Sequence, residues 1–212
     1  DSEKTTKVKT LLNDKLTKSL QSIKDRKTAS RKKIEKETND RLDVLYYAAD
    51  DDATIGYTKV EDAYYAKLDQ ADADKASALR KAKASYQKSL KKLKKKAKKK
   101  SSSKKAARAK KARIKKAKSA AKRAYIQKKK EAINTYKTNL KAYDKELDDG
   151  LAIVDAAYEA QIEKADKIVA GERTAAIAAL NTATDKEMTL RGTQKTRLTN
   201  YINKLSKSST TI

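Results

Sequence analysis

The stretch Leu90-Lys91-Lys92-Leu93-Lys94-Lys95-Lys96-Ala97-Lys98-Lys99-Lys100-Ser101-Ser102-Ser103-Lys104-Lys105-Ala106-Ala107-Arg108-Ala109-Lys110-Lys111-Ala112-Arg113-Ile114 decides the fold. Before it, apolar residues recur every eleven positions as Tyr57, Leu68, Leu79 and Leu90. Val60, Ala71, Ala82 and Leu93 form a second phase, and Tyr64, Lys75, Tyr86 and Ala97 a third. After it, the strongest phase is Ile114, Tyr125, Tyr136, Leu147, Tyr158, Val169 and Leu180. Leu140, Leu151 and Ile162 run beside that phase, as do Ala121, Ala132, Tyr143, Val154, Ala165 and Ala176. A period of eleven over three turns keeps a stripe on one face of a nearly straight, or slightly right-handed, helix. The two arrays are not in one register. Eleven residues beyond Leu90 comes Ser101, and then Ala112 rather than Ile114. One unbroken helix, roughly 300 Å long at 1.5 Å per residue, leaves this slip unexplained.

An antiparallel hairpin explains it. The expected fold is all-α: a long helical hairpin, or coiled coil, built on an 11-residue (hendecad) repeat. Residues 1–98 form a first arm, 99–105 a Lys/Ser turn, 106–205 a second arm and 206–212 a frayed tail. Ser hydroxyls compete for backbone groups and favour caps and turns, so the triplet is the place to reverse. Folding about Ser102 pairs residues whose numbers sum to 204. Leu90 then meets Ile114, Leu79 meets Tyr125, Leu68 meets Tyr136, Tyr64 meets Leu140 and Tyr57 meets Leu147. Farther from the turn, Tyr46 meets Tyr158 and Leu16 meets Met188. The expected helix seam is Tyr57, Tyr64, Leu68, Leu79, Leu90, Ile114, Tyr125, Tyr136, Leu140, Leu147 and Tyr158. The N-terminal arm continues it less regularly through Val8, Leu12, Leu16, Leu20 and Ile23. Asp50-Asp51-Asp52 with Gly56, and Asp148-Asp149-Gly150, read as local weakening of the helices.

Composition supports helices and opposes a thick core. Phe, Trp, Cys, His and Pro are absent, and 39% of residues are charged. The hydrophobic share is 38%, but much of it is Ala, which buries little area. Without Pro, nothing forbids helix anywhere. Without His or Cys, the usual general base, thiol nucleophile and nitrogen or sulfur metal ligands are missing. The four Gly are isolated, so no phosphate-cradling loop exists. The reading is therefore no enzyme, no cofactor and no metal. No apolar run approaches the ~20 residues of a membrane span, so no transmembrane segment is expected. The chain starts at Asp1 without Met, compatible with removal of a leader and an extracellular or surface location.

The charge is concentrated. From Lys75 to Lys130 there are 27 Lys and Arg and no acid. The remaining residues hold the other 27 bases and all 28 acids, so outside this stretch the chain sums to −1. Residues 75–130 thus form a basic tip on a shaft expected to be near neutral. The candidate polyanion-binding residues are Lys91, Lys92, Lys94, Lys95, Lys96, Lys98, Lys99 and Lys100 before the turn. After it come Lys104, Lys105, Arg108, Lys110, Lys111, Arg113, Lys115, Lys116 and Lys118. Like charges at i, i+4 destabilise a helix by a few tenths of a kcal/mol per pair, and here they cover every face. A chain that carries this without acids is expected to meet a polyanion. The eleven Tyr are read as seam residues rather than base-stacking platforms, since most fall in the repeat.

The run Lys104 to Arg113 is similar in style to the Lys/Ala tails of linker histones, although it lacks their Pro. That resemblance implies contact with a phosphate backbone without reading of sequence. The 11-residue repeat also resembles the group 3 late-embryogenesis-abundant proteins, which implies a desiccation protectant. Their charge is balanced along the repeat, and the central block departs from that. Three readings follow. The first is a non-catalytic coiled-coil structural protein that self-assembles through its shaft into an oligomer or filament and binds nucleic acid with its tip. The second is a surface fibre whose basic region contacts an anionic wall, glycan or lipid. The third is the desiccation protectant.

Overall fold

A computed structural model describes residues 2–208 of the chain, and the fold is an all-α helical hairpin. Helix α1 runs Ser2–Lys98 and helix α2 runs Lys104–Ser208. No described residue has a positive φ. The absence of Pro leaves both ladders unbroken, and Ala, Lys, Leu, Glu and Gln favour them throughout.

The reversal occupies residues 99–103. Ser103 is the N-cap of α2: its hydroxyl accepts from the Ala106 N–H at 3.1 Å, and its carbonyl accepts from the Ala107 N–H at 2.9 Å. The Lys110 ammonium donates to the Lys99 carbonyl and ties the connection to α2. The turn is thus two residues shorter than expected, because the cap at Ser103 lets Lys104 and Lys105 join the helix. At the other end α2 continues through Ser208, beyond the expected limit at 205. Residues 209–212 of the expected tail lie outside the described residues.

The chain divides into two compact units. One is Asp52–Ala157 and contains the reversal. The other joins the residues up to Asp51 with those from Tyr158 onward.

In the unit with the reversal, Ala71 and Ala82 are the buried apolar residues, and Val60 and Leu93 of the same phase are half-buried. Two close contacts across the hairpin are reciprocal. A Cβ at Gly56 would lie 3.0 Å from a methyl of Val154, and one at Gly150 would lie 2.8 Å from a methyl of Val60. Both glycines sit inside continuous helix. Neither ends its helix, and each accommodates a valine from the opposite helix.

These contacts also correct the register. Val60 faces Gly150 and Gly56 faces Val154, so facing numbers sum to 210 rather than 204. Tyr125 stacks on Tyr86, not against Leu79, with centroids 5.0 Å apart and planes 8° apart. Tyr136 receives Lys75 over its ring at 3.6 Å, not Leu68. The physical reason is side-chain size. The sum-204 alignment places Tyr and Leu directly opposite one another. The observed alignment puts Ala, Gly and Val in the line of closest approach and moves Tyr and Leu to its edges. All the expected seam residues are accordingly half-buried, and none is fully buried.

The other unit follows the same plan. Ile23, Ala49, Ala165 and Val169 are buried, with Val169 at 2% exposure. Thr38 and Thr184 are also buried, and their hydroxyls donate to the Ile34 and Leu180 carbonyls at 2.7 and 2.8 Å. Arg173 crosses to Thr38 and Asn39 at 3.0 and 2.6 Å, and Arg41 pairs with Glu172 at 2.7 Å. Tyr46 and Tyr158, expected to pair, lie close enough for Tyr158 to act on the Tyr46 phenol, but their hydroxyls bond carboxylates instead. Tyr46 donates to Asp166 and Tyr158 bonds Asp50.

Candidate polyanion-binding site

The basic block lies wholly within the unit that contains the reversal. Lys91, Lys92, Lys94, Lys95, Lys96 and Lys98 are on the last turns of α1. Successive residues of a helix point about 100° apart, so these six surround it. Lys99 and Lys100 are in the connection. Lys104, Lys105, Arg108, Lys110, Lys111, Arg113, Lys115, Lys116 and Lys118 continue on the first turns of α2. All are exposed except Lys110, which is half-buried where it reaches the Lys99 carbonyl. The hairpin therefore brings both halves of the block to the reversal and turns nearly every charge outward.

Nothing within the block neutralises it. Among the described residues, the sole ion pair reaching it is at its edge, Lys75 with Asp72 at 3.5 Å. The helix dipoles add an asymmetry. Lys95, Lys96 and Lys98 sit favourably in the last turn of α1. Lys104 and Lys105 open α2 with no acid in its first turn, where the dipole is already positive. Anions are therefore favoured there by side chains and backbone together. Ile126 is the one large apolar side chain that the block exposes among the described residues. Tyr86 and Tyr125 are occupied with each other and half-buried, so the block presents no free aromatic platform for bases.

The near-neutral sum outside the block conceals an acidic border. Residues 52–74 and 131–157, in the same unit, hold twelve carboxylates against five Lys, a net −7 beside the +27 of the block. Here Tyr–Asp pairs also cross the hairpin, a pattern that the repeat alone does not disclose. Tyr57 donates to Asp155, Tyr64 donates to Asp144 at 2.7 Å, and Tyr136 bonds Asp72. The Tyr46 and Tyr158 pairs repeat it in the other unit. Accepting a hydrogen bond from the neutral phenol, each carboxylate raises the pKa of Tyr46, Tyr64, Tyr136 or Tyr158, with desolvation as the next cause. At Tyr136 the nearby Lys75 opposes that rise. Eleven residues separate Tyr46 from Tyr57, and that repeat is the signal available in the sequence. Pairing it with Asp requires the register.

No helix among the described residues is long and apolar enough to cross a membrane. No protein family, curated protein or solved structure matches the chain.

Proposed function

We propose that this is a non-catalytic structural protein that self-associates and binds nucleic acid, independently of sequence, through the basic block at its reversal. One observation carries the reading: 27 cations on two antiparallel helix ends, nearly all exposed and unpaired within the block. Such a surface attracts phosphate by releasing counterions, a term that does not depend on base sequence. The absence of free aromatic platforms on the block supports backbone contact over stacking on bases.

The test is competition. Labelled duplexes of unrelated sequence are expected to bind with equal affinity, and nucleic acid is expected to co-purify from the source at low salt. Heparin and anionic vesicles serve as the comparison. Equal binding of either, with no nucleic acid co-purifying, would overturn this reading in favour of a surface fibre on an anionic wall, glycan or lipid.

A further inference from the structure

The acidic border of the block contains a surface that the proposed function leaves unassigned. Tyr65 is 60% exposed, although its neighbour Tyr64 is half-buried. Its ring meets Tyr64 edge-on at 5.6 Å and otherwise faces outward. On the face of α1 around it, at helical spacings of three and four, lie Glu61, Asp62 and Asp69. All three carboxylates are exposed, and none forms an ion pair among the described residues. Elsewhere in the same unit this chemistry already holds a lysine. Lys75 lies over the Tyr136 ring at 3.6 Å and pairs with Asp72 at 3.5 Å, while Tyr136 bonds that same Asp72. Lys67 repeats it with the Tyr143 ring, at 5.4 Å, and with Glu146. The Tyr65 face has the ring and the carboxylates but no cation.

We infer that the Tyr65 face of α1, with Glu61, Asp62 and Asp69, docks the lysine-rich block of a second copy of this chain. Charge complementarity selects that occupant: the block carries +27 and its two borders −7. The chain's own block does not serve. On the same continuous helix Lys75, held by Asp72 and the Tyr136 ring, lies 10 residues from Tyr65, about 15 Å at 1.5 Å per residue. Arg80 lies about 22 Å away and the lysine run from Lys91 about 39 Å away. The exposed ring supplies cation–π attraction and the carboxylates supply Coulomb attraction, each stronger when neighbouring side chains exclude water. This contact rests on the self-association half of the proposed function and deepens it. It also makes nucleic acid and a second copy compete for the same lysines.

Sedimentation velocity on the full chain tests it. The wild type is expected to associate at low salt and dissociate at high salt. A face variant, Glu61→Lys/Asp62→Lys/Asp69→Lys, and a block variant, Lys94→Glu/Lys95→Glu/Lys98→Glu/Lys99→Glu, should each associate at least about tenfold more weakly. Their equimolar mixture should recover association, because the basic block of the first fits the acidic face of the second. Tyr65→Ala, which changes no charge, should weaken association roughly two- to fivefold. Circular dichroism on each variant checks that helicity is kept, and Glu61→Gln/Asp62→Gln/Asp69→Gln replaces any reversal that unfolds. The face variant should still bind duplex DNA, and excess DNA should dissolve the wild-type assembly. A wild type that stays monomeric at low salt, a face variant that associates normally, or a mixture no stronger than its components would overturn the inference. A wild type that associates as expected but does not bind DNA would instead count against the nucleic-acid reading and leave this contact standing.

Discussion

Gly150 shows how tightly a single residue is constrained in a chain this polar. In an open helix position Gly→Ala stabilises by about 1 kcal/mol, and Gly171, with nothing within 4 Å of an added methyl, is such a position. At Gly150 the same methyl would meet Val60, whose branched side chain has little freedom to turn away. Overpacking costs about 1–3 kcal/mol, which exceeds the propensity gain. Gly171→Ala is therefore expected to raise the melting temperature and Gly150→Ala to lower it. Adding Val60→Ala to the latter should recover part of the loss. The Tyr–Asp pairs make a second prediction, in pH. The native pKa values of Tyr46, Tyr64, Tyr136 and Tyr158 are raised above the usual 10.0. Their contribution to stability is thus full below the unfolded value and is lost as pH rises through the raised native values. Thermal melts from about pH 9 to about pH 12 should show a decline that the fourfold Tyr→Phe variant lacks. An equal decline in both would mean that the phenols are not its source.

At the scale of elements, the reversal is legible in the sequence and the register is not. A two-residue slip between the arrays, and three Ser at the place of the slip, are local facts that one sequence displays. Register is a comparison between two stripes, and arrays of period eleven match about several centres. Seam expectations weight Tyr and Leu because they bury the most area. The helices instead settle where Ala71, Ala82, Gly56 and Gly150 allow the closest approach. The Tyr–Asp pairs are invisible for the same reason, since each joins residues at least 64 positions apart. Crosslinking decides between the registers. The Cβ of Val154 is 3.7 Å from a Cβ placed at Gly56, within the range a disulfide needs. Gly56→Cys/Val154→Cys should oxidise readily within one chain, and Leu68→Cys/Tyr136→Cys should not. The reverse result would restore the sum-204 alignment. At the cap, Ser103→Ala should cost about 1 kcal/mol, whereas Ser101→Ala and Ser102→Ala should cost little.

For the whole molecule, charge is the organising quantity. Its excess is plain in the sequence, but the −7 on the borders is hidden inside a sum of −1 over all the rest. Only the pairing of 52–74 with 131–157 in one unit shows those carboxylates as a border to the block. The central claim is that the block, and not the rest of the chain, meets nucleic acid. The most direct measurement is the slope of log K against log salt for duplex DNA. Each neutralised phosphate contributes about −0.9, so two basic helix ends are expected to give a slope of about −6 or steeper. Lys94→Gln/Lys95→Gln/Lys98→Gln/Lys99→Gln should flatten that slope by up to about 3.6 and weaken binding to every sequence alike. Lys7→Gln/Lys18→Gln/Lys164→Gln/Lys186→Gln, outside the block, should leave it nearly unchanged. Equal flattening by the two sets would contradict the assignment of the block as the binding site.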